Sequence, residues 1–253
     1  MSRDDRPPAS RAGRGGRSGA SARRLGAAEV AVVLGATPLF AALDATSLAR
    51  LATLCGQRVL QRGHFLCYQG ESGDRLFVIA DGMVKVVLTS ERGEEVLLAT
   101  MGANETLGEL AVLDGAPRSA SVVAVEPTTA LLLARPVLID VMARYPAVLD
   151  AMLQSLGGLV RRLTEQTGDF VFLDLGGRLA KTLLGLSQHD AVPGEAMELE
   201  VRFSQSELAA MVGASRPAVN RALHLLAMRG WISVEGQVIV LRDPSSLRRR
   251  AAG

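Results

Sequence analysis

The sequence predicts an α+β protein in which a β sandwich is followed by one long helix and a C-terminal winged helix-turn-helix. Three observations lead to this prediction. Between about residues 58 and 135, short runs of strand length alternate with glycine-centred turns. From Leu149 to Leu173, apolar residues recur every three or four positions. Residues 203–241 show two short helix patterns and then a hairpin pattern.

The composition narrows the classes of protein to which this chain can belong. It has 253 residues, of which 48% are hydrophobic, enough to bury the cores of two modest domains. Cys55 and Cys67 are too few for a disulfide framework, a cysteine-rich zinc site or a four-thiolate iron–sulfur cluster. The three histidines show no metal-ligand spacing, and no pairing of nucleophile and base suggests catalysis. We therefore expect no metal and no enzymatic activity.

The sequence also lacks the signals of a membrane or secreted protein. No uncharged apolar run reaches the ~18 residues that a membrane span needs. Arginine, glycine and serine dominate the first 24 residues, which therefore lack the apolar core of a signal peptide. We expect a cytoplasmic protein without a membrane partner.

Charge is distributed unevenly along the chain. The net charge is +2, yet residues 202–253 carry eight arginines against three acidic residues, while residues 31–201 carry 13 basic and 20 acidic residues. This asymmetry indicates two domains with different partners, of which the basic one is the candidate nucleic-acid binder. Residues 1–28 are basic and lack periodicity, so we expect a disordered arm there. It would serve as a solubilising tail or as a non-specific nucleic-acid arm.

The region after the arm is predicted to be a β domain. Leucines at helical spacing mark residues 37–57, and strand patterns such as RLFVIA, MVKVVLTS and SASVVAVE follow up to about residue 135. Many short strands at nearly regular spacing are typical of a sandwich, a barrel or a jelly roll. We set this domain at residues 29–145.

A long helix is predicted over residues 146–174. From Leu149 onward, apolar residues alternate steps of three and four, as in the seam of a coiled coil. We expect this helix to pair with its twin in a parallel homodimer; the alternative is that the stripe packs on the protein's own sandwich. The predicted seam consists of Leu149, Met152, Leu156, Leu159, Leu163 and Gln166.

Residues 175–253 are predicted to form a winged helix-turn-helix. Ser204 and Glu207 have the spacing of a capping box at the start of one helix. Ser215 caps a second helix, and the hairpin pattern WISVEGQVIVL follows it. This combination is typical of a DNA-binding domain; the alternative is an ordinary helical hairpin with solvated arginines.

The second helix of this motif carries side chains that are suited to reading DNA. Arg216 and Asn220 are four residues apart, so they share a face of the helix. Arginine pairs with guanine in the major groove, and asparagine pairs with adenine. We therefore expect double-stranded DNA as a partner.

A second constellation, LGELAVLDGAPRSASV, occupies residues 107–122. Gly108 permits close approach of a ligand, and Glu109 opens a short helix whose free N–H groups favour an anion. Arg118 offers a bidentate fork to a phosphate, and Ser119 adds a hydroxyl donor. These residue types predict a site for a small phosphorylated sugar. The alternative is an ion pair between Glu109 and Arg118 that ties down a loop.

The order of these parts resembles that of the Crp/Fnr (catabolite activator protein) family over about residues 37–250. YQGESGDRLFVIADGMVKVV and GELAVLDGAPRSA resemble its cyclic-nucleotide-binding domain, and the second is close to its phosphate-binding cassette. FLDLGGRLAKTLL resembles the family hinge, and GASRPAVNRAL with RGWISVEGQVIVL is similar to the winged helix. The resemblance implies a jelly-roll cyclic-nucleotide-binding domain, a dimerisation helix and a DNA-binding domain.

The resemblance also implies roles for individual residues. Arg118 and Ser119 would hold the cyclic phosphate, and Glu109 would accept a hydrogen bond from the ribose 2′-hydroxyl. The other nucleotide contacts would come from Gly108, Leu110 and Thr164. The base-reading residues would be Arg216 and Arg221. The DNA phosphates would be held by Ser204, Gln205, Ser206 and Ser215.

Two positions depart from the family's pattern. Leu163 stands where the best-known cAMP-responsive members have a threonine that contacts adenine, which bears on the choice of base. Pro217 stands where those members usually have a base-reading glutamate, so we expect a different preferred half-site.

The sequence as a whole therefore predicts a homodimeric transcription regulator that binds a pseudo-palindromic DNA site and responds to cAMP. The half-sites would lie about one helical turn, near 34 Å, apart. The same regulator could instead respond to cGMP, to cyclic di-GMP or to no effector. An alternative of another class is a cyclic-nucleotide-binding regulatory subunit of a partner protein. RNA polymerase is a further candidate partner.

Overall fold

The structure is a computed structural model that describes residues 22–91, 93, 95–189, 199–202, 205–236 and 238–253. It confirms the predicted α+β fold, with a sandwich, one long helix and a C-terminal domain of helices and a small sheet. The described helices are α1 (Ala27–Ala36), α2 (Ala45–Leu54), α3 (Glu109–Asp114), α4 (Arg135–Arg144), α5 (Pro146–Phe172), α6 (Leu175–His189), α7 (Gln205–Val212), α8 (Arg216–Met228) and α9 (Pro244–Ala251). The described strands are β1 (Gly56–Leu60), β2 (Phe65–Cys67), β3 (Arg75–Asp81), β4 (Val84–Thr89), β5 (Glu95–Met101), β6 (Thr106–Leu107), β7 (Ser121–Ala124), β8 (Thr128–Ala134), β9 (Leu199–Arg202), β10 (Ile232–Glu235) and β11 (Val238–Leu241).

The β domain consists of two four-stranded sheets with antiparallel pairings. One sheet has the strand order β1-β8-β3-β6, and the other has the order β2-β7-β4-β5. Strand residues alternate between the two faces, so the inner faces meet in a core that contains Leu66, Ile79, Val84 and Val122. Strand β6 pairs with β3 through Phe77 and Leu107, and this pairing places the cassette at the edge of the first sheet.

Helices cover the sandwich with a second apolar core. Leu34 of α1, Leu138 of α4 and Met152 of α5 are buried in one cluster with Leu131 of β8. The first two turns of α5 therefore belong to the packing of the β domain. Among the described helices, none combines the length and the hydropathy that a bilayer crossing requires.

The last residues of the predicted arm make contacts with the sandwich. The Leu25 amide donates to Gln57 Oε1 at 2.7 Å, and Gln57 Nε2 donates to the Leu25 carbonyl at 2.8 Å. Thr129 Oγ1 donates to the carbonyl of Arg23 at 3.0 Å. Residues 23–28 are thus held against the sandwich, and residues 1–21 of the predicted arm lie outside the described residues. The local sequence pattern could not indicate these contacts, because Gln57 and Thr129 lie far along the chain from residues 23–28.

The C-terminal domain has a separate core. Leu183 of α6, Leu208 of α7, Leu223 of α8 and Leu247 of α9 pack with the three-stranded sheet β10-β11-β9. The sequence analysis overlooked α9, although Asp243 followed by a proline and then by arginines in the last turn is a signal for a capped helix. The Ser246 amide donates to Asp243 Oδ1 at 3.0 Å, as the N-cap pattern requires.

Helix α9 also explains the glycine pair that resembles a hinge. Gly176 and Gly177 lie inside α6, and the joint between α5 and α6 is formed by residues 173 and 174. A Cβ atom at Gly177 would lie 3.1 Å from the carbonyl oxygen of Arg250. The small residues therefore allow close packing of α9 on α6.

Candidate functional site

The cassette begins at a glycine that no other residue could replace without strain. Gly108 caps α3 in the left-handed conformation, with φ +83°. A Cβ atom at this position would lie 2.3 Å from Arg118 Nη1. Gly108 therefore satisfies two demands at once, the sharp turn from β6 into α3 and the close approach of the arginine.

Arg118 is held in place by the cassette itself. Its side chain is 5% exposed and stacks over the ring of Phe77, with 4.5 Å between Cζ and the ring centroid. Nη1 donates to the Gly108 carbonyl at 3.0 Å, and Nη2 donates to the Arg75 carbonyl at 2.6 Å. Nε is buried and has no hydrogen-bond partner among the described residues. The guanidinium is thus oriented in advance, and its buried Nε–H is a donor without a partner among the described residues.

Glu109 lies beside this arginine but is not paired with it. Its Oε2 atom is buried and has no hydrogen-bond partner among the described residues. Burial raises the pKa of the Glu109 carboxyl, although the nearby charges of Arg162 and Arg118 act in the opposite direction. The alternative interpretation, in which Glu109 and Arg118 form an ion pair, therefore does not describe this structure. Both side chains keep a buried polar atom for another partner.

The rest of the predicted nucleotide site is more open. Ser119 is exposed, and Leu110 is 40% exposed. Thr164 is exposed on α5, where its Oγ1 donates to the Val160 carbonyl at 2.9 Å. The Thr164 oxygen keeps its lone pairs in this bond, so it can still accept a hydrogen bond from a ligand.

Arg162 is a residue near the site that the sequence analysis missed. It lies on α5, two positions before Thr164, and its charge acts on Glu109 of the cassette. The long helix therefore passes within electrostatic range of the site. Because 53 residues of sequence separate the two, only a covarying partner in related sequences could have given a signal.

The exposed apolar residues of the long helix overlap only in part with the predicted seam, which includes Leu149 and Leu163. Met152 of the predicted seam is 2% exposed and packs in the core of its own chain, and Leu156 packs partly against that core. Leu153 is 57% exposed and Val160 is 62% exposed. The exposed stripe consists of Leu149, Leu153, Val160 and Leu163.

The sequence is compatible with a second register of the seam. Two heptad registers can start from Leu149, one that begins with a step of three residues and one that begins with a step of four. Both registers contain Leu156 and Leu163, and they differ at the positions between. Apolar residues occupy both 152 and 153, and both 159 and 160. Periodicity alone could not choose between the two registers, whereas packing against the sandwich removes Met152 from the free face. In the register that stays free, Leu153, Val160 and Thr167 replace Met152, Leu159 and Gln166.

The helix-turn-helix consists of α7, the turn 213–215 and α8. Arg216, Pro217 and Arg221 are exposed on the first turns of α8. Asn220 is only partly exposed, and its Oδ1 atom is buried without a hydrogen-bond partner among the described residues. The Asn220 oxygen thus lies buried, whereas Arg216, four residues before it, is exposed.

The predicted phosphate-binding residues surround the two helix starts. Ser206 and Ser215 are exposed, and Gln205 is partly buried at the first position of α7. Ser204, and with it the predicted capping box, lies outside the described residues. The wing is the hairpin β10–β11, in which Glu235 pairs with Val238 and Gly236 has φ +64°.

Metal binding has no structural support in the described part of the chain. There, no group of three or more histidine, cysteine, aspartate or glutamate side chains comes together as a metal site would require. Cys55 is partly buried and Cys67 is buried, and burial raises the pKa of both thiols. Neither cysteine has the low thiol pKa of a redox sensor.

Comparison with known proteins identifies two families of domain in this chain. Residues 57–145 match the cyclic nucleotide-binding domain, and residues 177–250 match the Crp-like helix-turn-helix domain. The first match contains the cassette, and the second contains α6 to α9.

Two named relatives match this chain over nearly their whole length. The CRP-like cAMP-activated global transcriptional regulator of Mycobacterium tuberculosis (strain ATCC 25618 / H37Rv) is 34% identical over 220 residues, which cover 87% of this chain and 98% of the relative. The cyclic AMP receptor protein of Thermus thermophilus is 31% identical over 217 residues, which cover 86% of this chain and 98% of the relative.

Solved structures show the same fold. The catabolite activator protein of Thermus thermophilus superposes with a TM-score of 0.50 at 31% identity, over 86% of this chain and 99% of that one. The c-di-GMP responsive global regulator CLP of Xanthomonas campestris superposes with a TM-score of 0.70 at 22% identity, over 78% of this chain and 99% of that one. The second likeness concerns the fold alone.

Proposed function

The chain belongs to the Crp/Fnr family of transcription regulators, and we propose that it is a homodimer whose binding to DNA is controlled by cAMP. Its cyclic nucleotide-binding domain and its Crp-like helix-turn-helix domain make it a DNA-binding regulator, as its named relatives are. The proposal adds the identity of the effector, the dimer and the roles of individual residues.

The observation that carries the proposal is the pair of unsatisfied buried atoms in the cassette. Glu109 Oε2 can only accept a hydrogen bond while ionised, and Arg118 Nε can only donate one. In a cyclic nucleotide, the ribose hydroxyl supplies a donor for Glu109 and the neighbouring cyclic phosphate supplies an acceptor for Arg118. Burial of unsatisfied polar atoms is unfavourable, so a ligand that satisfies both gains free energy from an already ordered site.

The remaining contacts define the nucleotide more closely. Ser119 is exposed beside Arg118 and adds a hydroxyl donor to the phosphate. Gly108 and Leu110 line the sugar, and Thr164 supplies the polar contact to the base. The relative from Mycobacterium tuberculosis is named as cAMP-activated, and this favours adenine over guanine as the base.

The exposed stripe on α5 is the proposed dimer interface. An isolated helix face with Leu153 and Val160 largely exposed is unfavourable in water, and a second copy of the same helix buries it in a parallel coiled coil. Residues 29–145 then form the nucleotide-binding domain, residues 146–174 the dimerisation helix and residues 175–253 the DNA-binding domain.

The proposed dimer places two copies of α8 in successive major grooves. Arg216 and Arg221 read bases, Pro217 makes only apolar contact, and Gln205, Ser206 and Ser215 hold phosphates. Ser204 is assigned to the phosphates by the family resemblance alone. RNA polymerase is the proposed downstream partner.

The test is isothermal titration calorimetry of the purified protein with cAMP, cGMP and cyclic di-GMP, together with anisotropy of a labelled pseudo-palindromic DNA. We expect one cAMP per chain, tighter than the other two nucleotides, and an increase in DNA affinity when cAMP is present. Tighter binding of cyclic di-GMP would replace the effector but keep the regulator. Nucleotide binding without any DNA affinity would favour the regulatory-subunit alternative.

A further inference from the structure

We propose that Phe170, near the end of the long helix, is the positioning residue that fixes the helix-turn-helix relative to that helix. The proposal rests on the proposed function, because it explains how a nucleotide bound at the cassette would reach the DNA-reading helix through α5. Phe170 belongs to neither the nucleotide site nor the DNA-reading face. Its ring is 52% exposed, so packing in a core does not account for its place.

The ring of Phe170 lies against the backbone of the turn between α7 and α8. Gly213 in this turn has φ +63°, and a Cβ atom there would lie 2.8 Å from Cζ and 2.9 Å from Cε1 of Phe170. Real Cβ atoms do not approach a ring this closely, so only a glycine permits the contact. Gly213 therefore satisfies two separate requirements, a left-handed turn and a bare surface for the ring.

Arg178 of α6 contacts the Phe170 ring, the end of α5 and the end of α7. Its guanidinium carbon lies 4.9 Å from the centroid of the Phe170 ring, within cation–π range. Nε donates to the Val212 carbonyl at the end of α7, at 3.2 Å, and Nη1 donates to the Leu173 carbonyl at the end of α5, at 3.0 Å. The side chain thus links the end of the long helix, the ring and the helix-turn-helix.

Two further contacts surround this joint. Lys181 Nζ of α6 lies 2.7 Å from Asp169 Oδ1 of α5. Helix α7 packs against β5, the edge strand of the second sheet, and Leu97 and Met211 line one cavity together with Phe170. The helix-turn-helix is therefore docked on its own sandwich, with the Phe170 ring at the centre of the docking.

This geometry couples two movements. Gly213 is three residues before Arg216, so the turn that the ring contacts continues directly into the first turn of α8. A shift or rotation of α5 moves the Phe170 ring. The turn that contains Gly213 moves with the ring, because the glycine has no side chain that would separate the two. Removal of the ring would leave both domains folded but would release the orientation of α8 from that of α5.

The first arm of the test needs no ligand. Amide hydrogen exchange is measured in the full chain for wild type, Phe170→Ala and Phe170→Tyr. We expect faster exchange in α7 and β5 for Phe170→Ala, unchanged exchange in β3 and β8, and near wild-type exchange for Phe170→Tyr, which keeps the ring. Unchanged exchange in α7 and β5 for Phe170→Ala would overturn the proposal, whatever the effector is.

A double-mutant cycle separates the ring contact from backbone strain. Gly213→Ala is expected to speed exchange in α7 and β5 in the wild-type chain but to add little in the Phe170→Ala chain, because the clash has been removed. Gly230→Ala is the matched control, since Gly230 has φ +73° and nothing lies within 4 Å of its Cβ position. Equal effects of Gly213→Ala in both backgrounds would show that the turn alone matters.

The second arm measures coupling, with cAMP as the probe. The ratio of DNA dissociation constants without and with cAMP should fall about 2- to 30-fold for Phe170→Ala, the range for residues that carry coupling. Calorimetric cAMP affinity should stay within about twofold of wild type. If cAMP does not change the DNA affinity of the wild-type chain, the proposed effector is refuted. The hydrogen-exchange experiment then tests the role of Phe170 by itself. A Phe170→Ala chain with the wild-type ratio would refute the positioning role.

Discussion

Glu109 and Arg118 are neighbours in the cassette, yet no hydrogen bond or ion pair joins their side chains, both of which the structure describes. The two guanidinium Nη atoms donate to the backbone carbonyls of Gly108 and Arg75 instead. Backbone carbonyls thus hold the cation in place without neutralising it. The arrangement leaves the positive charge for a phosphate and the carboxylate for a hydroxyl.

The first prediction concerns the phosphate. Ser119→Ala removes an exposed hydroxyl donor without disturbing the core, so we expect cAMP affinity to fall about 5-fold, the equivalent of one net hydrogen bond of ~1 kcal/mol. Arg118→Lys should weaken binding much more, by about 2–5 kcal/mol, because lysine cannot reproduce the fixed fork. Calorimetry with cAMP measures both.

Arg118 is also part of the fold, so its variant needs a control. Thermal unfolding of Arg118→Lys shows whether the sandwich survives the loss of the contacts with Gly108, Arg75 and Phe77. Ser119→Ala has no such ambiguity. Wild-type cAMP affinity in Ser119→Ala, together with wild-type affinity in a folded Arg118→Lys variant, would mean that the phosphate does not bind here.

The second prediction concerns pH. Because the pKa of Glu109 is raised by burial, the folded protein binds this proton more tightly than the unfolded chain does. The associated stability is present below the ordinary glutamate pKa of about 4 and is lost as the pH rises through the raised value. Glu109→Gln should therefore stabilise the ligand-free protein by about 1 kcal/mol at pH 7.5, and by less as the pH falls toward 5.

The same variant should bind cAMP about 10-fold or more weakly, because a charge-assisted hydrogen bond to the ribose is lost. Urea unfolding of the ligand-free protein at several pH values and calorimetry at pH 7.5 measure the two effects. Glu126→Gln, at an exposed position of the same domain, is the control. A Glu109→Gln variant that is less stable at pH 7.5 and binds cAMP normally would assign the carboxylate a purely structural role.

The third prediction concerns the dimer. Leu153→Glu or Val160→Glu places two carboxylates opposite each other in the proposed interface, so the protein should become monomeric while its sandwich stays folded. Gln154→Glu, on the exposed polar face of the same helix, should remain dimeric. Multi-angle light scattering gives the mass of each variant.

The two registers of the seam make opposite predictions. Dissociation by Leu159→Glu, with Val160→Glu still dimeric, would restore the register that the sequence predicts. Dimeric forms of all three glutamate variants would place the interface elsewhere.

The fourth prediction concerns DNA sequence preference. Arg216→Ala should remove the preference for one guanine in each half-site, about 1–3 kcal/mol of discrimination, and Arg221→Ala should act similarly. Ser206→Ala should weaken binding to all sequences about equally, because phosphate contacts position the protein without reading bases. Selection of bound sequences from a random pool, at fixed salt, measures these effects.

Asn220 provides a further test of the same docking. Since its Oδ1 atom is buried, Asn220→Ala should leave the base preference unchanged. Arg144→Ala removes an exposed positive charge from the β domain and controls for the loss of charge alone. A long non-palindromic consensus, or wild-type preference in Arg216→Ala, would contradict the proposed docking of α8.

Local patterns in the sequence were sufficient for the fold class. Alternation of short strands with glycine turns predicted the sandwich, and two short helix patterns followed by a hairpin predicted the winged helix-turn-helix. Ser215 is the N-cap residue of α8, but its side chain makes no cap hydrogen bond. The comparisons with known proteins confirm the family that the cassette and the winged helix resemble. These features depend on neighbours within a few positions, which a single sequence displays directly.

Tertiary structure decided what depends on residues far apart in the chain. It determined that Met152 turns inward and Leu153 outward, because the sandwich covers one side of α5. It placed the guanidinium of Arg118 on two backbone carbonyls, which no residue pattern encodes. It also brought Phe170 against Gly213, a contact between segments whose local patterns are independent. The spacing of apolar residues shows that a helix has an apolar face, but adjacent faces can fit the same spacing. The elements that pack against the helix decide which face is buried.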